Sequence, residues 1–152
     1  MLEFQRDGYW DNERFMRSVR EAIRIAEYKY PSDQYDLVWI LDHSSGHQAY
    51  SEDALVASRM NVKPGGKQPK MHPGRLTDGT PQSMVFMDGT PKGLDIILRE
   101  RSVNTDGLNR LEMVKRMQEF PDFKQEKTNV QQFLEGEHHR CLFNPKVIIQ
   151  FG

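Results

Sequence analysis

Residues 37–42 have the sequence LVWILD, the only long apolar run in the chain, which ends in Asp42. A short run that is apolar at both alternating positions and rich in branched and aromatic residues predicts a strand buried on both faces. In open α/β sheets, ligands and catalytic groups collect just beyond the carboxyl ends of such strands. The sequence therefore predicts that Asp42 lies at the rim of a sheet, where it can meet a metal ion or a substrate. An Asp after a strand also commonly caps the next turn, so this simpler role stays open.

A helix is predicted before this strand. Asp11 or Asn12 can cap a helix that runs to about Tyr30, and Pro31 ends it. The apolar residues of this segment recur at helical spacing and form one stripe: Phe15, Val19, Ala22, Ile23, Ala26 and Tyr30. We expect residues 36–42 to be the most buried strand, packed against this stripe, with a strand near 140–150 in the same sheet.

Composition restricts the class of protein. The 152 residues suit one domain, but only 37% are hydrophobic and 28% are charged. The net charge of −1 gives no overall basic field, so any nucleic-acid binding depends on local patches. The single cysteine, Cys141, excludes an internal disulfide framework. No run approaches the about eighteen apolar residues of a membrane span. We therefore expect a soluble, intracellular protein that does not enter membranes.

Glycine and proline punctuate residues 59–92, where Asp78-Gly79 and Asp88-Gly89 are strong turn signals. Residues 82–87 between them are predicted to form a short strand that pairs with residues 71–77. We interpret 59–92 as a surface hairpin insertion and not as a core element. A brief helix is expected just before it, at 51–58, with Ser51 as its cap.

Helical periodicity returns at residue 93. Helices are predicted from 93 to about Arg101 and over 108–117, where Pro121 ends the second. A third is predicted around Phe123–Leu134, with Gly136 just past its end. The resulting organisation is a core formed by 1–58 and 137–152, the hairpin insertion 59–92 and a helical insertion 93–136.

The segment WILDHSSGH at 39–47 resembles the second catalytic-aspartate motif of DDE-type transposases of the RNase H-like fold. Further segments are similar to one uncharacterised eukaryotic group of these enzymes. In order, they are RDGYW at 6–10, MNVKPGGKQ at 60–68, PKGL at 91–94, VNTDGL at 103–108, FPDF at 120–123 and EKT at 126–128. The resemblance covers residues 6 to about 146, and the ordered series is more specific than the aspartate motif alone.

The resemblance implies an α/β fold, a partial RNase H-like sheet with flanking helices and the two insertions. It implies that Asp42 is one of three carboxylates that hold Mg²⁺ or Mn²⁺ for DNA cleavage and strand transfer, a two-metal reaction. The first and third carboxylate motifs have no counterpart here, so we expect a transposase fragment whose metal site is incomplete and whose catalysis is lost. His47 is the other candidate catalytic remnant, which orients a phosphate or water; a purely structural hydrogen bond is as probable for it.

Two groups of cations are candidate phosphate contacts. Residues 93–117 resemble a SAP-type helix–loop–helix, a small DNA-binding module, and carry Arg99, Arg101, Arg110, Lys115 and Arg116. The interspersed Glu100, Glu112 and Glu119 favour the alternative, an amphipathic helical hairpin with solvated charges. The glycine- and proline-rich loop carries Lys63, Lys67, Lys70 and Arg75, which suit either a clamp on a nucleic-acid backbone or a solvated loop.

Zinc is not indicated, because neither His138-His139 with Cys141 nor His43 with His47 has the paired ligand spacing of a structural site. We expect a transposon-derived protein that binds DNA weakly, with the nucleus as its location. The alternative is a small α/β protein–protein interaction module in which Asp42 is a turn cap.

Overall fold

The computed structural model describes residues 11–43, 47 and 49–144. In chain order, the elements are α1 (Asn12–Lys29), β1 (Val38–Leu41), a 3₁₀ turn (Ala57–Arg59), β2 (Gly74–Arg75), β3 (Pro81–Gln82), α2 (Gly93–Glu100), α3 (Arg110–Gln118), α4 (Pro121–Lys124), α5 (Asn129–Gly136) and β4 (Arg140–Phe143). The described part of the chain is therefore mixed α/β, with five α-helices and two small sheets. Within it, no helix is both long and apolar enough to cross a membrane.

The chain divides into two compact units. The first unit combines Met1–Tyr50 with Lys127–Gly152, and the second unit is Ser51–Glu126. This division differs from the one predicted from the sequence, because the hairpin segment and the helices α2 to α4 share one unit. The helix α5, which the sequence places in a helical insertion, belongs to the first unit instead.

The first unit packs two helices on a parallel pair of strands. The Asp11 side chain accepts a hydrogen bond from the Arg14 amide at 2.9 Å and caps α1, as predicted. Strands β1 and β4 pair in parallel, from Val38 opposite Arg140 to Leu41 opposite Phe143. The predicted pairing of the two strands is confirmed for residues 140–143, whereas residues 145–150 lie outside the described part. The buried residues of α1 and α5 form the core: Phe15, Met16, Val19, Ile23, Val130 and Leu134.

Burial on both faces was the wrong prediction for β1. Trp39 and Leu41 pack against the core, but Val38 and Ile40 are 41% and 66% exposed. On the paired strand β4, Leu142 lies opposite Ile40 and is 56% exposed. The reason is that α1 and α5 cover one face of this two-stranded sheet, and no described residue covers the other face to the same degree. We call Val38, Ile40 and Leu142 the open sheet face.

The second unit has its own core, built by α2 and α3 with the hairpin segment. Its buried residues include Leu94, Ile97, Leu98, Met113, Val114, Met117, Met71, Met84 and Phe123. The hairpin segment is therefore not a mere surface insertion, which corrects the sequence interpretation. Two short helices supply little apolar area, and the flexible side chains of Met71 and Met84 complete the core.

Three local predictions also need correction. Residues 51–58 contain only the 3₁₀ turn, since the Glu126 carboxylate accepts the Leu55 amide at 3.1 Å where a helix would continue. Pro121 begins α4 rather than merely ending α3. The predicted third helix is two helices, because Thr128 and Gln131 form a capping box that starts α5 anew.

Candidate functional site

Asp42 and His47 meet at the carboxyl end of β1. Nδ1 of His47 lies 2.6 Å from Oδ1 of Asp42 and 3.3 Å from the Asp42 carbonyl oxygen. The carboxylate and carbonyl oxygens of Asp42 are both hydrogen-bond acceptors. Nδ1 of His47 is therefore the protonated ring nitrogen and donates a hydrogen bond to Asp42. The His47 ring is tilted on the ring of Phe15 with 4.1 Å between centroids, which anchors it to α1. The Asp42 side chain is 67% exposed and the His47 side chain 18% exposed.

Asp42 and His47 supply one carboxylate and one imidazole at this end of β1. Mg²⁺ requires near-octahedral oxygen ligands, so several carboxylates must converge on it. Over the residues that the structure describes, no three His, Cys, Asp or Glu side chains are grouped closely enough to hold a metal ion. One Asp42 oxygen already accepts a hydrogen bond from His47. What the pair offers is an exposed carboxylate with a fixed orientation.

The residues considered for zinc have other surroundings. The His139 ring is buried, and its Nε2 lies 3.1 Å from Oε1 of Glu27 without hydrogen-bond geometry. Burial, followed by the negative charge of Glu135, raises the pKa of the Cys141 thiol. His43 stacks on Phe143, with 5.3 Å between ring centroids.

Residues 61–70, which we call the cationic loop, are held by hydrogen bonds at both ends. The Asn61 amide donates to the Gln68 side chain at 2.8 Å, and the Asn61 side chain donates to the Gly65 carbonyl at 2.7 Å. The Leu94 amide at the start of α2 donates to the Asn61 carbonyl at 2.8 Å. The loop therefore has a defined shape.

The lysines of the cationic loop point into solvent. Lys63, Lys67 and Lys70 are exposed, and in the described structure none of them forms an ion pair. Arg75 is also exposed; its guanidinium donates to the Gly79 carbonyl at 3.5 Å, and its backbone amide donates to Asp122. Lys63, Lys67, Lys70 and Arg75 are thus all accessible to solvent.

The cations of the predicted SAP-like segment are largely engaged elsewhere. Arg101 is buried, with 2% of its side chain exposed, and both terminal nitrogens donate to Asp122 at 2.8 and 2.6 Å. Arg101 is therefore a core residue, which corrects its assignment as a phosphate contact. Arg99 is exposed but donates to Asp106 at 2.7 Å and to Asp95 at 2.8 Å, and these bonds raise the pKa of its guanidinium.

The remaining cations of this segment differ in their availability. Arg110 donates to the Ser58 carbonyl at 2.8 Å and so ties α3 to the 3₁₀ turn. Arg116 lies 3.8 Å from Glu119 and lines a cavity of about 370 Å³ with Val103 and Phe120. Lys115 is exposed, and no ion pair of it is found in the described part of the chain. The helix–loop–helix itself is present, but Lys115 is its least engaged cation.

Sequence reasoning missed Asp122 and Gln82. Asp122 holds Arg101, and Gln82 accepts from Nε of Arg101 at 2.7 Å although it is buried. No local sequence pattern predicts either contact, because Asp122 and Gln82 are 21 and 19 positions away from Arg101 in sequence. Phe86 and Met87 immediately precede the Asp88-Gly89 turn signal and belong to a hairpin tip, not to the strand predicted over 82–87.

Comparison of the chain with protein-family models, with curated proteins and with solved structures gives no match.

Proposed function

We propose that the chain is a transposon-derived DNA-binding protein with a DDE-transposase-like core, that it acts in the nucleus, and that it does not cleave DNA. The observation that carries the proposal is the cationic loop. It presents Lys63, Lys67 and Lys70 as exposed residues on a backbone held by hydrogen bonds, and none of them forms an ion pair in the described structure, although the charge of Lys63 contributes to lowering the pKa of the Asp95 carboxyl. Exposed cations can displace counterions from a nucleic-acid backbone.

The transposase-like core is supported by the architecture of the first unit. A helix precedes each of two parallel strands, and Asp42 follows the first of them. This is where the resemblance puts the second catalytic carboxylate of an RNase H-like sheet, and where α/β proteins bind ligands. Catalysis is not part of the proposal, because Asp42 is the only carboxylate that the resemblance assigns and two-metal cleavage needs several ligands.

The proposal is tested by fluorescence anisotropy with a labelled duplex across a salt series. Each phosphate contact contributes roughly 0.9 to the slope of log affinity against log salt, so four cations give a slope of about 3 to 4. Combined replacement of Lys63, Lys67, Lys70 and Arg75 by Ala should flatten this slope. In the control variant, Arg14, Arg17, Arg24 and Lys29 of α1 are replaced by Ala. This variant loses the same number of positive charges and should retain most of the salt slope.

Two results would count against this function. If the slope is unchanged when Lys63, Lys67, Lys70 and Arg75 are replaced, the phosphate contacts lie on the helices instead, chiefly at Lys115. Absence of binding at low salt would favour the second candidate, a protein–protein interaction module. That candidate is favoured by the open sheet face, since parallel sheets are ordinarily covered on both faces and Ile40 is 66% exposed.

A further inference from the structure

Residues 76–81 and 86–91 form two hairpin turns with the same geometry. In each, the first residue pairs with the fifth: the Leu76 amide donates to Thr80 and the Phe86 amide to Thr90, both at 2.9 Å. In each, the Asp side chain accepts from the Thr amide two positions later, at 2.8 Å in the first turn and 2.9 Å in the second. The central glycines have φ of +85° and +81°. The repeated Asp-Gly-Thr-Pro sequence therefore specifies one turn used twice, and we call these the first and second hairpin turns.

The two turns differ in what they present. The second turn carries Phe86, which is 38% exposed, and Met87, which is fully exposed; the corresponding residues of the first turn are Leu76 and Thr77, respectively. Nζ of Lys92 lies 5.8 Å from the Phe86 ring centroid and covers part of that ring. Met87 and Phe86 together give the second turn a small apolar tip that the first turn lacks.

The second turn lies beside the cationic loop. The Gly65 amide donates to the Pro91 carbonyl at 2.9 Å, and a Cβ on Gly65 would lie 3.9 Å from the Thr90 methyl group. The apolar tip and the loop that carries Lys63 and Lys67 are thus joined by a direct backbone hydrogen bond. No such bond joins the loop to the first turn among the described residues.

We propose that the tip formed by Phe86 and Met87 contacts unpaired bases of single-stranded DNA while Lys63 and Lys67 contact its phosphates. Single strands combine a polyanionic backbone with exposed base faces, and proteins bind them with cations beside aromatic or apolar platforms. Lysine charge selects this partner over a neutral apolar peptide. Asp88 bears a negative charge in the same turn, so the backbone must pass on the lysine side. This inference rests on the proposed DNA-binding function and specifies its substrate.

Anisotropy at low salt with a labelled oligothymidine and a duplex of equal length tests the tip. Combined Phe86→Ala and Met87→Ala should weaken oligothymidine binding at least about fivefold, the lower end of what one stacked base contributes. Duplex affinity should change less than twofold, and the salt slope should stay unchanged because no cation is lost. Leu76→Ala with Thr77→Ala makes the same truncation in the first turn and should leave both affinities unchanged. Met87→Ala alone, which removes no buried contact, should give part of the loss.

The outcomes separate the tip from the proposed function. If the lysine variants lose affinity while the Phe86 and Met87 variants bind oligothymidine as tightly as the unsubstituted chain, the tip assignment is wrong and DNA binding stands. An equal loss on duplex and oligothymidine would also overturn the preference for unpaired bases. Failure of the unsubstituted chain to bind either oligonucleotide would overturn both proposals.

Discussion

Replacement of Asp122 by Asn should destabilise the second unit strongly. The Asp122 side chain is 10% exposed and its oxygens accept from two Arg101 nitrogens and from the Arg75 amide. Asn retains one acceptor oxygen and no charge, so the Arg101 guanidinium would stay buried without a counterion. Breaking a buried pair by removing one partner costs about 3–5 kcal/mol. We expect the lower end of this range, since Arg101 keeps its bond to Gln82 and lies over the Phe120 ring at 4.5 Å.

The assay is urea unfolding followed by far-ultraviolet circular dichroism, because both tryptophans, Trp10 and Trp39, lie outside this unit. Glu119→Gln is the matched control. It removes one negative charge from the pair with Arg116, whose side chains are 59% and 69% exposed. Such exposed pairs contribute about 0–1 kcal/mol. Equal and small losses in the two variants would refute the conclusion that the buried pair organises this unit.

Acid provides an independent check on the same carboxylate. Burial alone would raise the pKa of Asp122, but the hydrogen bonds from Arg101 and from the Arg75 amide outweigh it and lower the pKa below its usual 3.8. A carboxyl whose pKa is lower in the folded state stabilises that state above the unfolded pKa. This contribution is lost as the pH falls below 3.8 through the folded value. The acid limb of the stability profile should therefore be shallower in Asp122→Asn than in the unsubstituted chain.

Three further results are expected. Gly93→Ala should cost about 2 kcal/mol or more, since Gly93 has φ +76° and an added Cβ would lie 2.7 Å from the Lys63 carbonyl oxygen. Gly79→Ala, at φ +85° with open space around the added Cβ, should cost about 1 kcal/mol. Urea unfolding measures both losses of stability, and equal losses would contradict the close approach at Gly93. Ile40→Lys on the open sheet face should change the free energy of unfolding by less than about 0.5 kcal/mol, whereas Leu134→Ala in the core should lower it by about 2–5 kcal/mol. A larger drop in Tm for Ile40→Lys than for Leu134→Ala would contradict the exposure of Ile40. Purified chain should not nick supercoiled DNA with Mg²⁺ or Mn²⁺, and nicking that Asp42→Ala abolishes would show a more complete metal site than we assign.

Elements with local signals were predictable from the sequence. Asp11, a single apolar stripe and Pro31 define α1 without knowledge of the rest of the chain. The same holds for the turns at Asp78 and Asp88. The start of α5 could also have been read, because Thr128 and Gln131 have the spacing of a capping box. This cap separates α4 from α5, so the prediction of one helix over Phe123–Leu134 is wrong.

Burial was harder to predict, since it depends on what covers a strand. The sequence of β1 is apolar at every position, and this composition does not distinguish a strand covered on two faces from one covered on one. In the described structure, helices cover Trp39 and Leu41, while Val38 and Ile40 remain on the open sheet face. Asp42 nevertheless follows the strand as predicted, because its position depends only on chain order.

The two hairpin turns show how far local and distant contacts each determine a candidate site. An identical tetrapeptide gives two turns with matching hydrogen bonds, so the turn geometry follows from sequence alone. Their surroundings differ: the first turn begins beside Arg75, whose amide donates to Asp122, and the second is bonded to the cationic loop through Gly65 and Pro91. Neither contact can be derived from the four repeated residues. The link between the cationic loop and the second hairpin turn therefore depends on a contact between segments more than twenty residues apart, the Gly65–Pro91 hydrogen bond.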